Sequence, residues 1–352
     1  MLRSVRFWLG LLVSVIFVAL LFRAADPAKV AAALRGANYW WFLPALPIYL
    51  VSLWVRALRY RFLVRDLDDL SAWQLFPVLC IAFMANNLVP ARAGELLRAY
   101  VMGEKFGVSK VAALGTVLVE RLCDGLTLLL FLLVTVLLLG ANGYVRDLAI
   151  VSFAIFVLAL AVLGAILRWP GRSEATLHRL TAVLPQRLRP LARALVTSLL
   201  QGMVALRHRE TVIAALFTSP IAWAMEATVF MLVGRSFGLR LNFGWFVMAL
   251  AAGNLALTVP SSQGGIGPFE FFAKTVLVFA GAAQGAAAAF SLAVHALVIV
   301  PVTVLGLIFL STYNVSLSRA LKGAGAVAVE AEAETEGGDL ATVNAVAASR
   351  RR

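Results

Sequence analysis

Apolar residues fall along this chain in long unbroken runs rather than in alternation with polar ones. About 20 apolar residues in a row cross a bilayer as a helix, whereas membrane β-strands show a period of two. The pattern predicts six full crossings, at residues 5–22, 40–58, 111–139, 148–167, 211–233 and 288–312. Two further apolar segments, 73–90 and 244–280, are interrupted by Gly and Pro and read as broken, re-entrant helical hairpins. The predicted fold class is an all-α polytopic membrane protein. Between residues 168 and 210, Pro170, Pro185 and Pro190 separate basic, apolar-spaced segments. These read as short amphipathic helices on the inner leaflet. Residues 321–352 are rich in Ala, Gly, Glu and Thr. Such a composition cannot bury a core, so a disordered cytoplasmic tail is expected there.

The two interrupted segments resemble each other. The first reads Asn86-Asn87-Leu88-Val89-Pro90-Ala91-Arg92-Ala93-Gly94-Glu95. The second reads Asn254-Leu255-Ala256-Leu257-Thr258-Val259-Pro260-Ser261-Ser262-Gln263-Gly264-Gly265-Ile266-Gly267-Pro268-Phe269-Glu270. Each has an Asn, an apolar stretch ending in Val-Pro, small residues, and a Gly followed by Glu. Each follows two crossings and precedes one. Three crossings per half is an odd number, so the halves, about 1–140 and 145–315, are expected to be inverted copies within one domain at 1–320. Paired Gly/Pro-interrupted helices in an inverted repeat point to a transporter site. Irregular backbone at membrane depth is tolerated only inside protein or along a water-filled cavity, and free N–H groups at broken helix ends attract anions.

Composition sharpens the membrane reading. Hydrophobic residues make up 62% of the chain and charged ones 14%, against about 45–50% and 25% in soluble domains. The mean hydropathy is +0.90. A net charge of +13 would suggest nucleic acid in a soluble protein. Here the basic residues flank spans, and no nucleic-acid motif accompanies them. Eighteen Lys and Arg on the side of the N-terminus, the 168–210 loop and the first hairpin oppose six on the other. The positive-inside rule then puts both termini in the cytoplasm. Arg3 and Arg6 followed by an apolar run also fit a signal peptide, but the weak cleavage site favours an uncleaved first helix. Cys80 and Cys123 lie in apolar runs without Cys or His partners and read as core residues.

Charges inside the spans are the candidate chemistry, because each costs roughly 2.5–3.5 kcal/mol on insertion scales. Glu120 and Asp124 share one face of the third crossing, with Arg121 turned away from Glu120 toward a neighbouring helix or a phosphate. Glu226 sits in the fifth crossing, and Glu270 and Lys274 are spaced to pair with each other. Two readings of Glu120, Arg121 and Asp124 stand side by side: a structural ion network, or ligands for a lipid headgroup. Arg92, Glu95 and Arg98 lie nearer the interface, as anchors or headgroup ligands. Arg56, Arg59 and Arg61 read as interfacial anchors placed where inner-leaflet phosphates would lie, which leaves a headgroup role open to them, and His295 as a hydrogen-bonded packing residue. The chain has no phosphate-binding loop for an ATP motor, no His-Glu-x-x-His and no Gly-x-Ser-x-Gly.

Taken in order, the Arg56-x-x-Arg59-Tyr60 segment, Asn86 through Glu95, Glu120-Arg121 with Asp124, and Val259-Pro260-Ser261 leading to Gly264-Gly265-Ile266-Gly267-Pro268-Phe269-Glu270 resemble the flippase-like membrane region of lysylphosphatidylglycerol synthases. The resemblance covers roughly residues 1–320. It implies a lipid-flipping unit in a bacterial inner membrane, here a stand-alone member without the synthase domain. Its implied partners are membrane lipids (phospholipid or polyprenyl-linked), a separately encoded lipid synthase, and a second copy in a homodimer. No cofactor, metal or nucleic acid is expected, and no enzymatic role. Headgroup binding is expected at Arg92, Glu95, Arg98, Glu120, Arg121, Asp124 and Glu270, and the re-entrant turns at Asn86, Asn87, Pro90, Gly94, Asn254, Pro260, Ser261, Gly264, Gly265 and Gly267. The rival expectations are a scaffold for a lipid synthase, and a transferase on a lipid-linked substrate with Glu120 or Asp124 as base.

Overall fold

A computed structural model describes residues 5–89, 93–140, 144–169, 176–177, 179–181, 183–186, 189–258, 262–313 and 323. The described residues form α-helices joined by short turns. In chain order they are α1 (Val5–Ala24), α2 (Pro27–Arg35), α3 (Phe42–Val64), α4 (Ala72–Leu88), α5 (Gly94–Phe106) and α6 (Lys110–Leu138), then α7 (Tyr144–Arg168), α8 (Arg189–Gly202), α9 (Arg209–Ser236), α10 (Phe243–Ala256), α11 (Pro268–Phe279) and α12 (Gln284–Thr312).

Local chemistry sets most of the boundaries. Asp26 caps α2 by accepting from the Ala28 amide, with Pro27 in the first turn. Ser71 and Gln74 form a capping box at the start of α4. Ser109 caps α6, and Gly107 ends α5 in the left-handed conformation.

Of the six expected crossings, four are helices long and apolar enough to span: Tyr39–Val64, Lys110–Leu138, Arg209–Ser236 and Gln284–Thr312. The first, expected at 5–22, is occupied by α1, and with α2 it makes a bent pair that can count as a fifth span. Asp26-Pro27 ends α1 and starts α2, and the two axes are bent by 81°. In α7 the apolar stretch among the described residues is Phe153–Ile166, shorter than a full span. The loop expected at 168–210 contains α8, which lies along α6 with Gly202 against the backbone of Gly115. The expected tail at 321–352, apart from residue 323, lies outside the described residues.

Large apolar side chains cover the outside: Leu9, Leu12, Val51, Leu138, Phe217 and Val304 are all exposed. Such a surface suits hydrocarbon rather than water. Tyr39, Trp40 and Trp41 at the start of α3, and Trp73 at the start of α4, are exposed where aromatic belts meet headgroups.

The segment expected at 244–280 is a helical hairpin, α10–α11, whereas the one expected at 73–90 is filled by the single helix α4, whose hairpin partner α5 lies beyond it. Packing between the halves is reciprocal. The first arm of each hairpin, α4 or α10, lies on the last crossing of the other half, α12 or α6. The short helices α2 and α8 sit on α12 and α6, and α3 packs along α9.

Each hairpin turn is held by side chains. Asn86 Oδ1 accepts from the Gly94 amide at 2.9 Å, and its Nδ2 donates to Glu95 at 3.3 Å. Asn87 Nδ2 donates to Thr303 Oγ1 of α12 at 2.9 Å. In the second hairpin, Gly264, Gly265 and Gly267 have φ of 67°, 74° and 104°, backbone that only glycine adopts without strain. Ser14 of α1 ties this turn down, accepting from the Ser262 amide at 2.8 Å and donating to the Ile266 carbonyl at 2.7 Å. Asn254 bonds back to Leu250 of its own helix. The two turns meet: a Cβ on Gly264 would lie 3.7 Å from the Asn87 carbonyl oxygen.

A Cβ at Gly94 would collide with the Ala82 carbonyl and the Asn86 side chain, whereas at Gly125 it meets nothing within 4 Å. Gly94→Ala is therefore expected to cost about 1–3 kcal/mol, read as a lowered thermal unfolding midpoint in detergent. Gly125→Ala is expected to leave the midpoint in place. Matching midpoints for both variants would mean that the first hairpin is loosely packed.

Candidate functional site

Polar residues on α3 recur at helical spacing: Tyr49, Ser52, Arg56 and Arg59. On α9, Ser219, Trp223 and Glu226 do the same. Because α3 and α9 pack together, the two stripes face each other. Glu120 and Asp124 of α6 and Arg98 of α5 complete a buried lattice.

Glu226 accepts from Arg56 Nη2 at 2.7 Å. Asp124 Oδ1 accepts from Arg59 Nη1 at 2.7 Å and from Trp223 Nε1 at 3.0 Å, with Arg56 Nη1 at 3.5 Å. Arg59 Nη1 also donates to Ser219 at 2.6 Å, and its Nη2 lies 3.2 Å from Glu120 Oε1 in charge contact without hydrogen-bond alignment. Glu120 Oε2 accepts from Arg98 Nη2 at 2.8 Å. Rings sandwich two of the cations: Arg56 lies 4.3 Å from the centre of Trp223 and Arg98 lies 3.5 Å from that of Tyr60. A buried charge is tolerable when paired and hydrogen-bonded, and these groups largely are.

Arg121 completes the lattice differently. It sits 3.6 Å from Glu120 and 3.8 Å from Asp124, but its side chain is 36% exposed. Its guanidinium lies 5.8 Å from the ring of Phe83, one turn before the first hairpin turn. Four guanidiniums, those of Arg56, Arg59, Arg98 and Arg121, thus meet three carboxylates, and the surplus positive charge faces out beside the break. Asp124 lies about 20 Å along α6 from its first residue, near mid-membrane depth.

Several expectations are corrected here. Arg56 and Arg59 are not interfacial anchors; only 3% and 0% exposed, they are internal partners of Glu226, Asp124 and Glu120. Arg61 is exposed, beside Asp69. Arg98 is likewise internal rather than interfacial, because α5 turns back into the protein. Without these three, the positive-inside excess is smaller but keeps its sign. Glu95 is half-buried and serves the turn through Asn86. Glu270 does not join the lattice and does not pair with Lys274. It accepts from the Gly267 amide at 2.7 Å and pairs with His295 of α12, while Lys274 donates to the Leu21 carbonyl at 3.3 Å. Arg92, Pro90, Pro260 and Ser261 lie outside the described residues. The residues that sequence reasoning missed, Arg56, Arg59, Ser219 and Trp223, carried a signal in their polar helical stripes.

Glu120→Gln leaves Arg98 and Arg59 short of a counter-charge in a buried site. Breaking such a pair typically costs about 3–5 kcal/mol, so a markedly lower unfolding midpoint in detergent is expected. Arg121→Gln, at a half-exposed position, is expected to unfold like wild type. A wild-type midpoint for Glu120→Gln would show that the lattice does not hold the helices.

Comparison with known proteins agrees with this architecture. The family model described as the lysylphosphatidylglycerol synthase TM region matches residues 7–306. Two UPF0104 membrane proteins of Methanothermobacter thermautotrophicus are similar. One is 22% identical over 88% of this chain and 96% of its own length, the other 25% identical over 85% and 91%. A protein of Haloferax volcanii named glycosyltransferase AglD is 29% identical over 91% of this chain, which spans 56% of that relative's length. That name overturns the expectation of no enzymatic role, since a transferase relative aligns over nearly the whole chain. Matched along most of its length, the chain is an integral membrane protein and belongs to the lysylphosphatidylglycerol synthase transmembrane-region family.

Proposed function

We propose that this chain binds the phosphate-bearing headgroup of a membrane lipid where its two hairpins meet, and carries that headgroup between leaflets. The observation that carries the reading is Arg121: a partly exposed guanidinium at membrane depth, held by Glu120 and Asp124 and lying by Phe83 of the first hairpin. Charge this deep in a membrane is retained where it meets a substrate or a partner. The three internal arginines fix both carboxylates, so Arg121 is positioned without being neutralised.

The reciprocal packing of the halves supports an inverted repeat. In such an arrangement one half rocks against the other and a site between them opens to each side in turn. The hairpin turns, meeting at Asn87 and Gly264, form the divide between the two sides. Lipid tails remain in hydrocarbon along the apolar exterior.

The name of the Haloferax relative favours a sugar-bearing headgroup, as on a polyprenyl phosphate, among the lipids this site would take. It also supports a second reading, in which the membrane domain serves glycosyl transfer by presenting a lipid-linked acceptor or product. Glu120 and Asp124 do not suit the role of base in that reaction, because each already accepts from buried guanidiniums. In that reading the transfer chemistry falls to groups other than these two carboxylates.

Purified wild type and Arg121→Gln, reconstituted in liposomes with a fluorescent phospholipid and then with a polyprenyl-phosphate sugar, separate these readings. Wild type is expected to move one of these lipids between leaflets several-fold faster than protein-free liposomes, and folded Arg121→Gln to lose most of that rate. Equal rates for the two would remove Arg121 from the site. Binding of the polyprenyl lipid without movement, with glycolipid formed when a nucleotide sugar is added, would favour the transferase reading.

A further inference from the structure

The second hairpin is bolted to the crossing that follows it by a buried titratable pair. Glu270 of α11 and His295 of α12 are 3% and 5% exposed, and Glu270 Oε1 meets His295 Nδ1. The other carboxylate oxygen accepts from the Gly267 amide at 2.7 Å, so the pair also holds the hairpin turn. The Phe269 ring stacks on the imidazole at 4.1 Å. One turn further along α11, buried Lys274 donates to the Leu21 carbonyl of α1.

The first hairpin has a bolt in the corresponding place: Arg98 of α5 pairs with Glu120 of α6. The two bolts differ in one chemical respect. A guanidinium keeps its proton at any physiological pH, whereas an imidazole exchanges one between about pH 5 and 8.

Few other charges approach the Glu270–His295 pair among the described residues. The helix α10, packed on α11, has no titratable side chain. From α1, Arg23 is exposed at the far end. From α2, Lys29 lies against Gly285, about 15 Å along α12 from His295. From α4 there is Cys80, and from α3 Tyr49, whose hydroxyl donates to the Val298 carbonyl. From α9, Glu226 is held by Arg56, and Arg209, Glu210 and Arg235 lie toward its ends. Lys274 stands one turn along α11 from Glu270, with its ammonium turned to the Leu21 carbonyl.

We propose that Glu270 and His295 form a proton site that couples movement of the α10–α11 hairpin to proton binding, so that lipid movement by this chain is proton-linked. The proposal rests on the translocation reading above. Without the extra proton, a neutral imidazole donates from Nδ1 to the carboxylate. One proton taken from water at Nε2 gives imidazolium against carboxylate, which tightens α11 onto α12. Its return from the same atom to water loosens them, and no other bond forms or breaks. By linkage, anything that separates α11 from α12 changes proton affinity, and proton binding shifts that separation equally.

The test uses full-length wild type, His295→Asn and Glu270→Gln, each checked for folding, in liposomes carrying a fluorescent phospholipid with and without a pH difference across the membrane. The expected result is a several-fold change in wild-type lipid movement on imposing the gradient, with both folded variants moving lipid at a rate the gradient does not alter. Wild-type movement indifferent to the gradient, or an equal response in a folded variant, overturns the coupling and leaves translocation standing. If only one variant folds, it alone decides. If neither folds, or if wild type moves no lipid at all, the wild-type imidazoles are followed by nitrogen NMR, with Glu270 selectively observed by infrared carboxylate bands. A third histidine signal that changes with pH together with a carboxylate change sustains the proton site, and its absence overturns it. Lack of lipid movement by wild type counts against the translocation reading itself.

Discussion

The two carboxylates of α6 organise this protein. Glu120 and Asp124 are buried at a depth where an unpaired charge would cost many times the stability of an ordinary contact. Once they are there, α3 must bring Arg56 and Arg59 to them, α5 must turn back to bring Arg98, and α9 must supply Ser219, Trp223 and Glu226. Hydrophobic packing cannot choose between many arrangements of helices when lipid tails are as apolar as leucine. Directional pairing of guanidinium and carboxylate does choose, because a misplaced helix strands a charge.

That lattice also explains how a polar site survives beside it. The three internal arginines pair with the carboxylates on the protein side, which leaves Arg121 anchored at one edge and open at the other. The open edge lies by Phe83 of α4, on the arm that leads into the first hairpin turn. Burial and exposure are thus divided between different arginines of one network. The same network locks four helices together and still leaves one guanidinium partly exposed.

The halves solve the same problem with different chemistry. Each broken hairpin returns toward the side it came from and must be fixed to the crossing that follows. In the first half a guanidinium–carboxylate pair does this, and in the second an imidazole–carboxylate pair. Each turn is also held from outside its own hairpin: Asn87 reaches Thr303 of α12, and Ser14 of α1 reaches Ser262 and Ile266. Contacts of this kind let the two hairpin turns meet at Asn87 and Gly264 within protein, where irregular backbone is tolerated.

The sequence by itself determined the all-α membrane class, four spanning helices, both interruptions and the presence of costly charges at Glu120, Asp124 and Glu226. These follow from apolar run length and from the rarity of ionised groups in hydrocarbon, both properties of one segment at a time. It also placed Arg121 next to its neighbours, since helical spacing alone dictates that proximity. Only the tertiary structure decided which cations meet which anions. Arg56 and Arg59 look like interfacial anchors when α3 is read alone and become internal only because α9 covers them. Glu270 and Lys274 are spaced to pair, yet Glu270 turns to His295, which lies on another helix and far along the chain. Spacing along a helix tells which side chains share a face, but the partner across an interface depends on how two helices are rotated and shifted against each other. That is fixed by the packing of the whole bundle.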